Sequence, residues 1–286
     1  MEKRKVAIPQ LKEMKKAGQK IKMVTAYDYP TAVLIDKTPI ELILVGDSLG
    51  MVVLGYDGTV PVTMEDMIHH LRPVVKGAPH TLVVGDMPFM SYNVSREEAI
   101  RNAGRLMKEG GADCVKLEGG QVVAPTVRAI VDAGIPVMGH IGLTPQTASA
   151  LGGFKVQGKD AAVAAKLLAD AQALEEAGAF AVVLECIPAQ LARLITEKLT
   201  IPTIGIGAGP WCDGQVLVTQ DMMGLFDRFI PKFVKQYANI GKIMLEAFER
   251  YAQEVDAGVF PDLDHSFTMK EEELAKLTRD AESNAL

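Results

Sequence analysis

LVVGDMPFMSYNVSREEAIRNAGRLMKEGGADCVKLE, residues 82–118, contains one complete strand, helix and strand of the repeating pattern that decides the fold. The apolar run Leu82 to Gly85 is followed by Ser95 and Glu98, which have the spacing of a helix-capping box. A pair of glycines would end that helix just before the next apolar run, Cys114 to Leu117. Apolar runs that alternate with helical stretches are typical of a parallel sheet with crossover helices.

The same alternation continues along the chain and predicts eight parallel strands. The other apolar runs are Ile21 to Thr25, Leu42 to Val45, Val137 to Gly139, Ala181 to Leu184, Thr203 to Ile206 and Val216 to Val218. Their number and steady spacing favour a closed (β/α)8 TIM barrel over a doubly wound open sheet, which would show the same alternation.

No change in composition divides the chain, so residues 1–286 are predicted to form a single α/β domain with a C-terminal helical extension. Within that extension, Ile230 to Val259 is predicted to be a long helix outside the barrel. The charged residues that follow predict a peripheral tail at 262–286.

Composition and charge narrow the class of protein. The net charge is -6, and no basic stripe with interleaved aromatic residues is present, so nucleic acid is not an expected partner. No signal peptide and no apolar run of about 18 residues is found, so we expect no membrane span and a cytoplasmic location. Cys114, Cys186 and Cys212 are odd in number and widely spaced, which predicts buried or semi-buried free thiols rather than disulfides or a zinc site.

Polar residues follow or end most of the predicted strands, on the face where TIM barrels build their active sites. They are Asp47, Ser48, Asp86, Lys116, Glu118, His140 and Glu185. One acidic residue at a strand end is more often a helix cap than a ligand, but several crowded carboxylates would need a neutralising cation. Oxygen ligands without cysteine indicate a hard ion, so Asp47, Asp86 and Glu118 are predicted to bind Mg²⁺ directly or through water.

The remaining strand-end residues each allow more than one interpretation. Lys116 and Glu118 are two positions apart and would share a face, so Lys116 either pairs with a carboxylate, contacts a substrate, or does both. His140 is either a core histidine or part of the site. Glu185 has apolar neighbours, and partial burial would raise its pKa and make it a better general base.

Seven motifs, in order, resemble those of a known family. They are VGDSLGM (45–51), GDMPF (85–89), VKLEGG (115–120), GHIGLTPQ (139–146), GFKVQG (153–158), LECIP (184–188) and IGIGAG (204–209). The chain resembles the ketopantoate hydroxymethyltransferase family from about Thr25 to His265. The resemblance implies a TIM-barrel enzyme that transfers a hydroxymethyl group from 5,10-methylenetetrahydrofolate to 3-methyl-2-oxobutanoate, giving 2-dehydropantoate for pantothenate biosynthesis through a Mg²⁺-stabilised enolate.

The resemblance also implies roles for individual residues. Asp47, Asp86 and Glu118 fall at the magnesium positions, and Glu185 is the proton acceptor. The positions that contact the oxo acid correspond to Asp47, Ser48, Asp86, Lys116 and His140. Residues that bind the folate are not assigned. Members of the family are cytoplasmic homodecamers that act on small molecules.

The sequence leaves two alternative functions and the role of one loop undecided. A magnesium-dependent 2-oxo acid lyase or mutase of the phosphoenolpyruvate mutase kind would share the enolate chemistry, but it would need phosphate-binding arginines or a loop cysteine. A non-catalytic sensor of 2-oxo acids would not need the full set of carboxylates. The glycine-rich loop Gly205 to Gly209 is predicted to allow close backbone packing, with contact to folate or a carboxylate as the alternative.

Overall fold

Eight parallel strands form a closed barrel in this computed structural model, which describes residues 3–226 and 228–283. The strands are β1 (Ile21–Thr25), β2 (Leu42–Val45), β3 (Leu82–Asp86), β4 (Cys114–Glu118), β5 (Val137–Gly142), β6 (Ala181–Glu185), β7 (Thr203–Ile206) and β8 (Gly214–Leu217). Each strand pairs with the next, and β8 pairs with β1 to close the barrel. The predicted TIM barrel is therefore confirmed, and the open sheet is excluded.

One helix precedes the first strand, others lie between the strands, and the last ones follow the barrel. They are α1 (Ile8–Lys16), α2 (Tyr29–Asp36), α3 (Leu49–Val52), α4 (Met64–Gly77), α5 (Arg96–Lys108), α6 (Ala124–Asp132), α7 (Ala161–Glu176), α8 (Ala189–Lys198), α9 (Thr219–Met222), α10 (Ile240–Asp256) and α11 (Glu271–Ser283). The hydroxyl of Ser95 accepts a hydrogen bond from the Glu98 N–H, so the predicted start of α5 is confirmed. A reciprocal capping box forms at the start of α4, between Thr63 and Asp66.

The strands alternate between two apolar clusters, as their period of two requires. In β3, Leu82 and Val84 point into the barrel, whereas Val83 packs with the cluster that lies under the helices. Helix α1 closes the amino-terminal end of the barrel: Leu11 is buried in the interior cluster, and Lys15 pairs with Asp213 at 2.9 Å just before β8. Ligands must therefore enter from the carboxyl end.

Several predicted boundaries differ from the structure. Strand β5 extends past Gly139 to Gly142, because Gly142 still pairs with the last residue of β6. The predicted long helix from Ile230 is wrong at its start, since α10 begins at Ile240, where the Asn239 side chain accepts a hydrogen bond from the Lys242 N–H.

The chain divides into two compact units, Met1–Tyr237 with the barrel and Ala238–Leu286. The described part of the second unit contains α10, a short 3-10 turn at Leu263–His265 and α11. Residues 284–286 of the predicted tail lie outside the described residues. Among the helices that the structure describes, none is both long and apolar enough to cross a membrane.

Candidate active site

A cavity of about 660 Å³ opens at the carboxyl ends of the strands. The predicted site residues all line it, namely Asp47, Ser48, Asp86, Lys116, Glu118, His140 and Glu185. Asp47 and Ser48 come just after the end of β2. For the residues within strands the reason is strand parity, because a strand returns to the same face at every second residue. Val84, Met138 and Val183 belong to the interior cluster. The next inward positions of β3, β5 and β6 are Asp86, His140 and Glu185.

Lys116 and Asp86 form a buried ion pair at the base of the cavity. They are direct register partners on β4 and β3, and the Lys116 Nζ lies 2.7 and 2.8 Å from the two carboxylate oxygens of Asp86. Burial lowers the pKa of Lys116, but the surrounding carboxylates outweigh burial and raise it overall. The lysine is therefore a fixed positive charge, and the predicted ion pair is confirmed.

The three predicted metal-binding carboxylates carry more negative charge than this lysine can neutralise. Asp47, Asp86 and Glu118 are each at most 4% exposed, and the backbone N–H of Asp47 donates to Asp86 Oδ2 at 3.2 Å. Burial, followed by repulsion from Asp86 and Glu118, raises the pKa of Asp47 well above its ordinary value. Burial also raises the pKa of Asp86, although Lys116 opposes it. The cluster thus favours an added proton or cation.

His140 lies between two carboxylates. Its Nδ1 is 3.4 Å from Glu118 Oε1 and its Nε2 is 3.1 Å from Glu185 Oε2, although neither nitrogen is well aligned for a hydrogen bond. Burial and Lys116 lower the pKa of His140, but the two glutamates prevail and raise it to about 9. A charged imidazolium is therefore favoured at neutral pH, and it links the metal-side carboxylates to Glu185.

Gln146 and Tyr92 hold these carboxylates in place, and neither was among the predicted site residues. The Gln146 side-chain amide donates to Asp47 Oδ2 and to the Met87 carbonyl oxygen, both at 2.9 Å. Its backbone N–H donates to Glu118 Oε2 at 3.1 Å. The Tyr92 hydroxyl donates to Gln146 Oε1 at 2.6 Å, which fixes the orientation of the amide. Gln146 ends the GHIGLTPQ motif, so a signal for it existed, whereas Tyr92 has none.

We expect Gln146→Leu to weaken Mg²⁺ binding about 10- to 100-fold, the usual effect of removing a residue that orients a metal-binding carboxylate. Leucine retains the backbone bond to Glu118 but leaves Asp47 Oδ2 without its amide donor. Calorimetric titration with Mg²⁺ measures the effect. Gln121→Leu, at an exposed position, is the matched control. Equal Mg²⁺ affinities for the two variants would show that the amide does not position Asp47.

Ser48 and Glu185 are also held by neighbours. The hydroxyls of Ser48 and Tyr27 are 2.7 Å apart and hydrogen-bonded, so a buried tyrosine orients the serine. After Glu185, Cys186 has φ 47°, a left-handed conformation that is uncommon outside glycine. The Cys186 N–H donates to the Ile206 carbonyl oxygen at 2.8 Å, which stabilises this turn and with it the position of Glu185.

Two further predictions are confirmed. Cys114, Cys186 and Cys212 are all free and buried. The glycine-rich loop after β7 packs closely: an added Cβ would lie 2.8 Å from the Phe233 ring at Gly207 and 2.4 Å from Ala189 Cβ at Gly209.

The carboxylates of the cavity suit Mg²⁺ by their chemistry, although they do not form a complete ligand set by themselves. Among the described residues, no group of three or more His, Cys, Asp or Glu side chains is already arranged so that it could hold an ion. Asp86 faces Lys116, and Glu118 faces Gln146 and His140. However, Mg²⁺ keeps several waters and commonly uses only one or two carboxylates together with its substrate. Buried hard oxygens with an excess of negative charge therefore fit this ion.

Comparison with known proteins identifies the family. A family model described as ketopantoate hydroxymethyltransferase matches residues 5–263. The chain belongs to this family. A curated relative from Heliobacterium modesticaldum, 3-methyl-2-oxobutanoate hydroxymethyltransferase, is 67% identical over 269 residues, which cover 94% of this chain and 98% of the relative. The enzyme of the same name from Moorella thermoacetica is 65% identical over 263 residues, 92% of this chain and 98% of the relative.

Membership in the ketopantoate hydroxymethyltransferase family makes the chain a transferase enzyme and excludes the sensor. The fold is also similar to that of phosphoenolpyruvate phosphomutase from Streptomyces platensis subsp. rosaceus, with a TM-score of 0.58 and 15% identity over 98% of each chain. At this identity the likeness concerns the fold alone. The lyase or mutase alternative therefore shares the barrel, while the family match assigns the chain to the transferases.

Proposed function

We propose that the chain transfers the one-carbon unit of 5,10-methylenetetrahydrofolate to C3 of 3-methyl-2-oxobutanoate. Water adds the hydroxyl, and 2-dehydropantoate and tetrahydrofolate are released for pantothenate biosynthesis. One observation carries the proposal: a buried cluster that can hold a 2-oxo acid, Asp47, Asp86, Lys116 and Glu118, shares a single cavity with Glu185 on the other side of His140. The family match supports this particular reaction among those that the geometry would allow.

The oxo acid is held at the β2 to β4 side of the cavity. Asp47 and Asp86 would hold Mg²⁺, with Glu118 bound to it directly or through water. When bound, the ion supplies a positive charge that stabilises the enolate oxygen of the substrate. Lys116 remains charged and offsets the substrate carboxylate, and the Ser48 hydroxyl, which Tyr27 orients, donates a hydrogen bond to it.

Glu185 is the base in this proposal. Its side chain is 16% exposed, so it can reach a bound ligand while water is largely excluded. It accepts the C3 proton of the oxo acid, and the substrate becomes the enolate nucleophile. The charged His140, with its Nε2 3.1 Å from Glu185 Oε2, holds the carboxylate in place and lies beside the substrate.

Hydrogen exchange tests this function. Incubated in D₂O with 3-methyl-2-oxobutanoate and Mg²⁺ but no folate, the protein should exchange the hydrogen at C3 for deuterium. Addition of 5,10-methylenetetrahydrofolate should then give 2-dehydropantoate. If neither exchange nor product is observed, the proposal is wrong; if exchange occurs but no product forms with the folate, the one-carbon donor is wrong.

The lyase or mutase alternative can be examined at the residues it would need. Cys186 and Arg228 both line the cavity, which the sequence analysis did not expect. Burial, helped by Glu185, raises the pKa of the Cys186 thiol to about 12, so this thiol is neutral at physiological pH and a poor nucleophile or base. Arg228 is more than half exposed at the rim. Neither residue gives the alternative independent support.

The charge of the cluster predicts a pH dependence of stability in the absence of metal. The pKa of Asp47 is raised, so the folded state binds its proton more tightly than the unfolded state, and stability falls as this proton is lost. The pKa of His140 is raised to about 9, so its stabilising charge is present below its unfolded pKa of about 6.5 and is lost as the pH rises through 9. Both effects have the same sign.

We therefore expect the melting temperature of the protein in EDTA to fall between about pH 6 and pH 9. Saturating Mg²⁺ should make this dependence flatter, because the ion replaces the protons that neutralise the cluster. Thermal unfolding at several pH values, with EDTA or with Mg²⁺, measures both effects. A metal-free melting temperature that rises over this interval would contradict the charge assignment.

The family resemblance further supports a homodecamer in the cytoplasm, and both are part of the proposal. The second unit has features of an interface, because α10 presents a row of exposed apolar side chains. They are Ile243, Met244, Phe248, Tyr251 and Val255. Sedimentation analysis of the full chain tests the assembly, and a monomeric mass would exclude it.

A further inference from the structure

One side of the cavity is not used by the oxo acid. The carboxylates, Lys116, His140 and Glu185 come from β2 to β6, whereas the wall formed by β8, β1 and the segment after β8 supplies no group that contacts the oxo acid in the proposal above. A cavity of about 660 Å³ is of the size that binds drug-sized ligands, far more than a branched five-carbon oxo acid fills. The cavity therefore has room for a second, larger ligand against this wall.

Asp221 is the unusual residue of that wall. It lies in α9, directly after β8, and it lines the cavity although only 9% of its surface is exposed. Within residues 3–226 and 228–283, its carboxylate has no hydrogen-bond or ion-pair partner; only its backbone oxygen accepts bonds, from the Gly224 N–H and the Gln236 amide. The carboxylate oxygens are not sealed from solvent but face the cavity, so a ligand that displaces water can pair with them.

Burial raises the pKa of Asp221 to about 6, and no cation close to the carboxylate opposes this rise. Val216 and Val218 line the cavity on the β8 side, and so does Phe226, whose N–H donates to the carbonyl oxygen of Gln220 beside Asp221. A flat heteroaromatic ring with hydrogen-bond donors on one edge would satisfy both features, because its faces suit apolar and aromatic side chains while its edge pairs with the carboxylate.

The pterin ring of a folate has this chemistry. Its N3–H and its 2-amino group point in the same direction and form a planar pair of donors, like the two N–H groups of a guanidinium that bind a carboxylate in parallel. We propose that Asp221 recognises the pterin ring of the folate co-substrate by accepting hydrogen bonds from N3–H and the 2-amino group. This assignment rests on the proposed function, since that function supplies the folate.

This assignment places the folate and the oxo acid on opposite sides of the cavity. In the strand order, β8 lies opposite β4, so a pterin bound at Asp221 and an oxo acid bound at Lys116 would approach each other from opposite walls. The one-carbon unit would then lie between them, on the side of Glu185. Lys155 and Lys232 are exposed at the rim of the cavity, where they can pair with the carboxylates of the folate's glutamate tail.

The test uses Asp221→Asn, which keeps the shape of the side chain and removes its charge. Asp57→Asn is the matched control: Asp57 also lines the cavity and loses the same charge, but its side chain is fully exposed. The measurements are the dissociation constant for tetrahydrofolate, the KM for 5,10-methylenetetrahydrofolate and the folate-independent hydrogen exchange at C3. Near-UV circular dichroism checks that each variant is folded.

We expect Asp221→Asn to raise the dissociation constant for tetrahydrofolate and the KM for the folate about 10- to 100-fold, the loss typical of a hydrogen-bonded charged group. Exchange at C3 should stay at the wild-type rate, and the control should match wild type throughout. A tetrahydrofolate analogue that lacks the 2-amino group should bind more weakly than tetrahydrofolate to wild type, but about equally to Asp221→Asn.

Two results would overturn the assignment. The first is a folded Asp221→Asn variant that binds tetrahydrofolate with wild-type affinity; the second is a loss of C3 exchange with folate binding intact, which would place Asp221 on the oxo acid side. Failure of the proposed function is distinguishable, because wild type itself would then show neither exchange nor product.

Discussion

Glu185→Gln is expected to abolish measurable hydrogen exchange at C3 of the oxo acid and to reduce kcat about 10²- to 10⁴-fold, the range associated with loss of a general base. Glutamine occupies the same volume but cannot accept the C3 proton. The Lys116 to Asp86 pair and the bonds from Gln146 do not involve Glu185, so the binding of Mg²⁺ and of the oxo acid should persist. The loss should therefore appear in kcat and not in affinity.

Deuterium incorporation followed by NMR measures this exchange directly, and calorimetry measures binding of Mg²⁺ and of the oxo acid. Glu197→Gln is the matched control, because Glu197 is an exposed partner of Arg193 on α8. If Glu185→Gln exchanges C3 hydrogen at the wild-type rate, another group removes the proton. His140 would then be the first residue to examine, since its Nε2 lies 3.1 Å from Glu185 Oε2.

Most of the site could be predicted from the sequence, because the carboxyl ends of the parallel strands of a barrel all lie at the same end. Once β3, β4, β5 and β6 are located, the rule that alternate residues share a face places their last polar residues in one barrel mouth. Lys116 and Glu118 illustrate this, since two residues of one strand both line the cavity. The family motifs then supplied roles that position alone does not give.

Contacts between segments that are distant in sequence could not be predicted in the same way. Gln146 joins the loop after β5 to Asp47 after β2, 99 residues apart in sequence, and no periodic pattern encodes such a contact. Asp221 was missed for a related reason: a lone acidic residue in a short helix has no sequence signal, and only its burial without a partner distinguishes it. The start of α10 was misplaced because apolar residues from Ile230 onward continue the pattern without forming the helix.

The barrel mouth contains more negative than positive charge, and a bound cation would neutralise the excess. Three buried carboxylates face two positive groups, Lys116 and a histidine whose pKa is raised to about 9. Burial, followed by repulsion from Asp86 and Glu118, raises the pKa of Asp47. Gln146 and Tyr92 keep the carboxylates close together in spite of their repulsion. A site organised in this way binds a divalent cation at a modest cost in stability when the cation is absent.

Lys116→Met should reveal that cost as a loss of folding stability. Methionine fills a similar volume without charge and leaves Asp86, 1% exposed, without the ammonium that lies 2.7 Å from it. Removing one partner of a buried ion pair lowers the free energy of unfolding by about 3–5 kcal/mol, because the remaining charge is buried and unpaired. We expect this loss in EDTA, and a smaller one in saturating Mg²⁺, since the ion neutralises Asp86 in place of the lysine.

Urea unfolding of wild type and variant, with EDTA and with Mg²⁺, measures both losses. Lys16→Met is the matched control: its ammonium also lies 2.8 Å from a carboxylate, that of Glu13, but the two side chains are 61% and 67% exposed, so about 1 kcal/mol or less should be lost.

The double variant Asp86→Asn with Lys116→Met removes the unpaired charge and should regain much of the stability lost in Lys116→Met, while its affinity for Mg²⁺ and the oxo acid stays low. A Lys116→Met variant as stable as wild type in EDTA, or a double variant less stable than Lys116→Met alone, would mean that Asp86 does not depend on Lys116. The excess of negative charge would then not be what prepares this cavity for a cation.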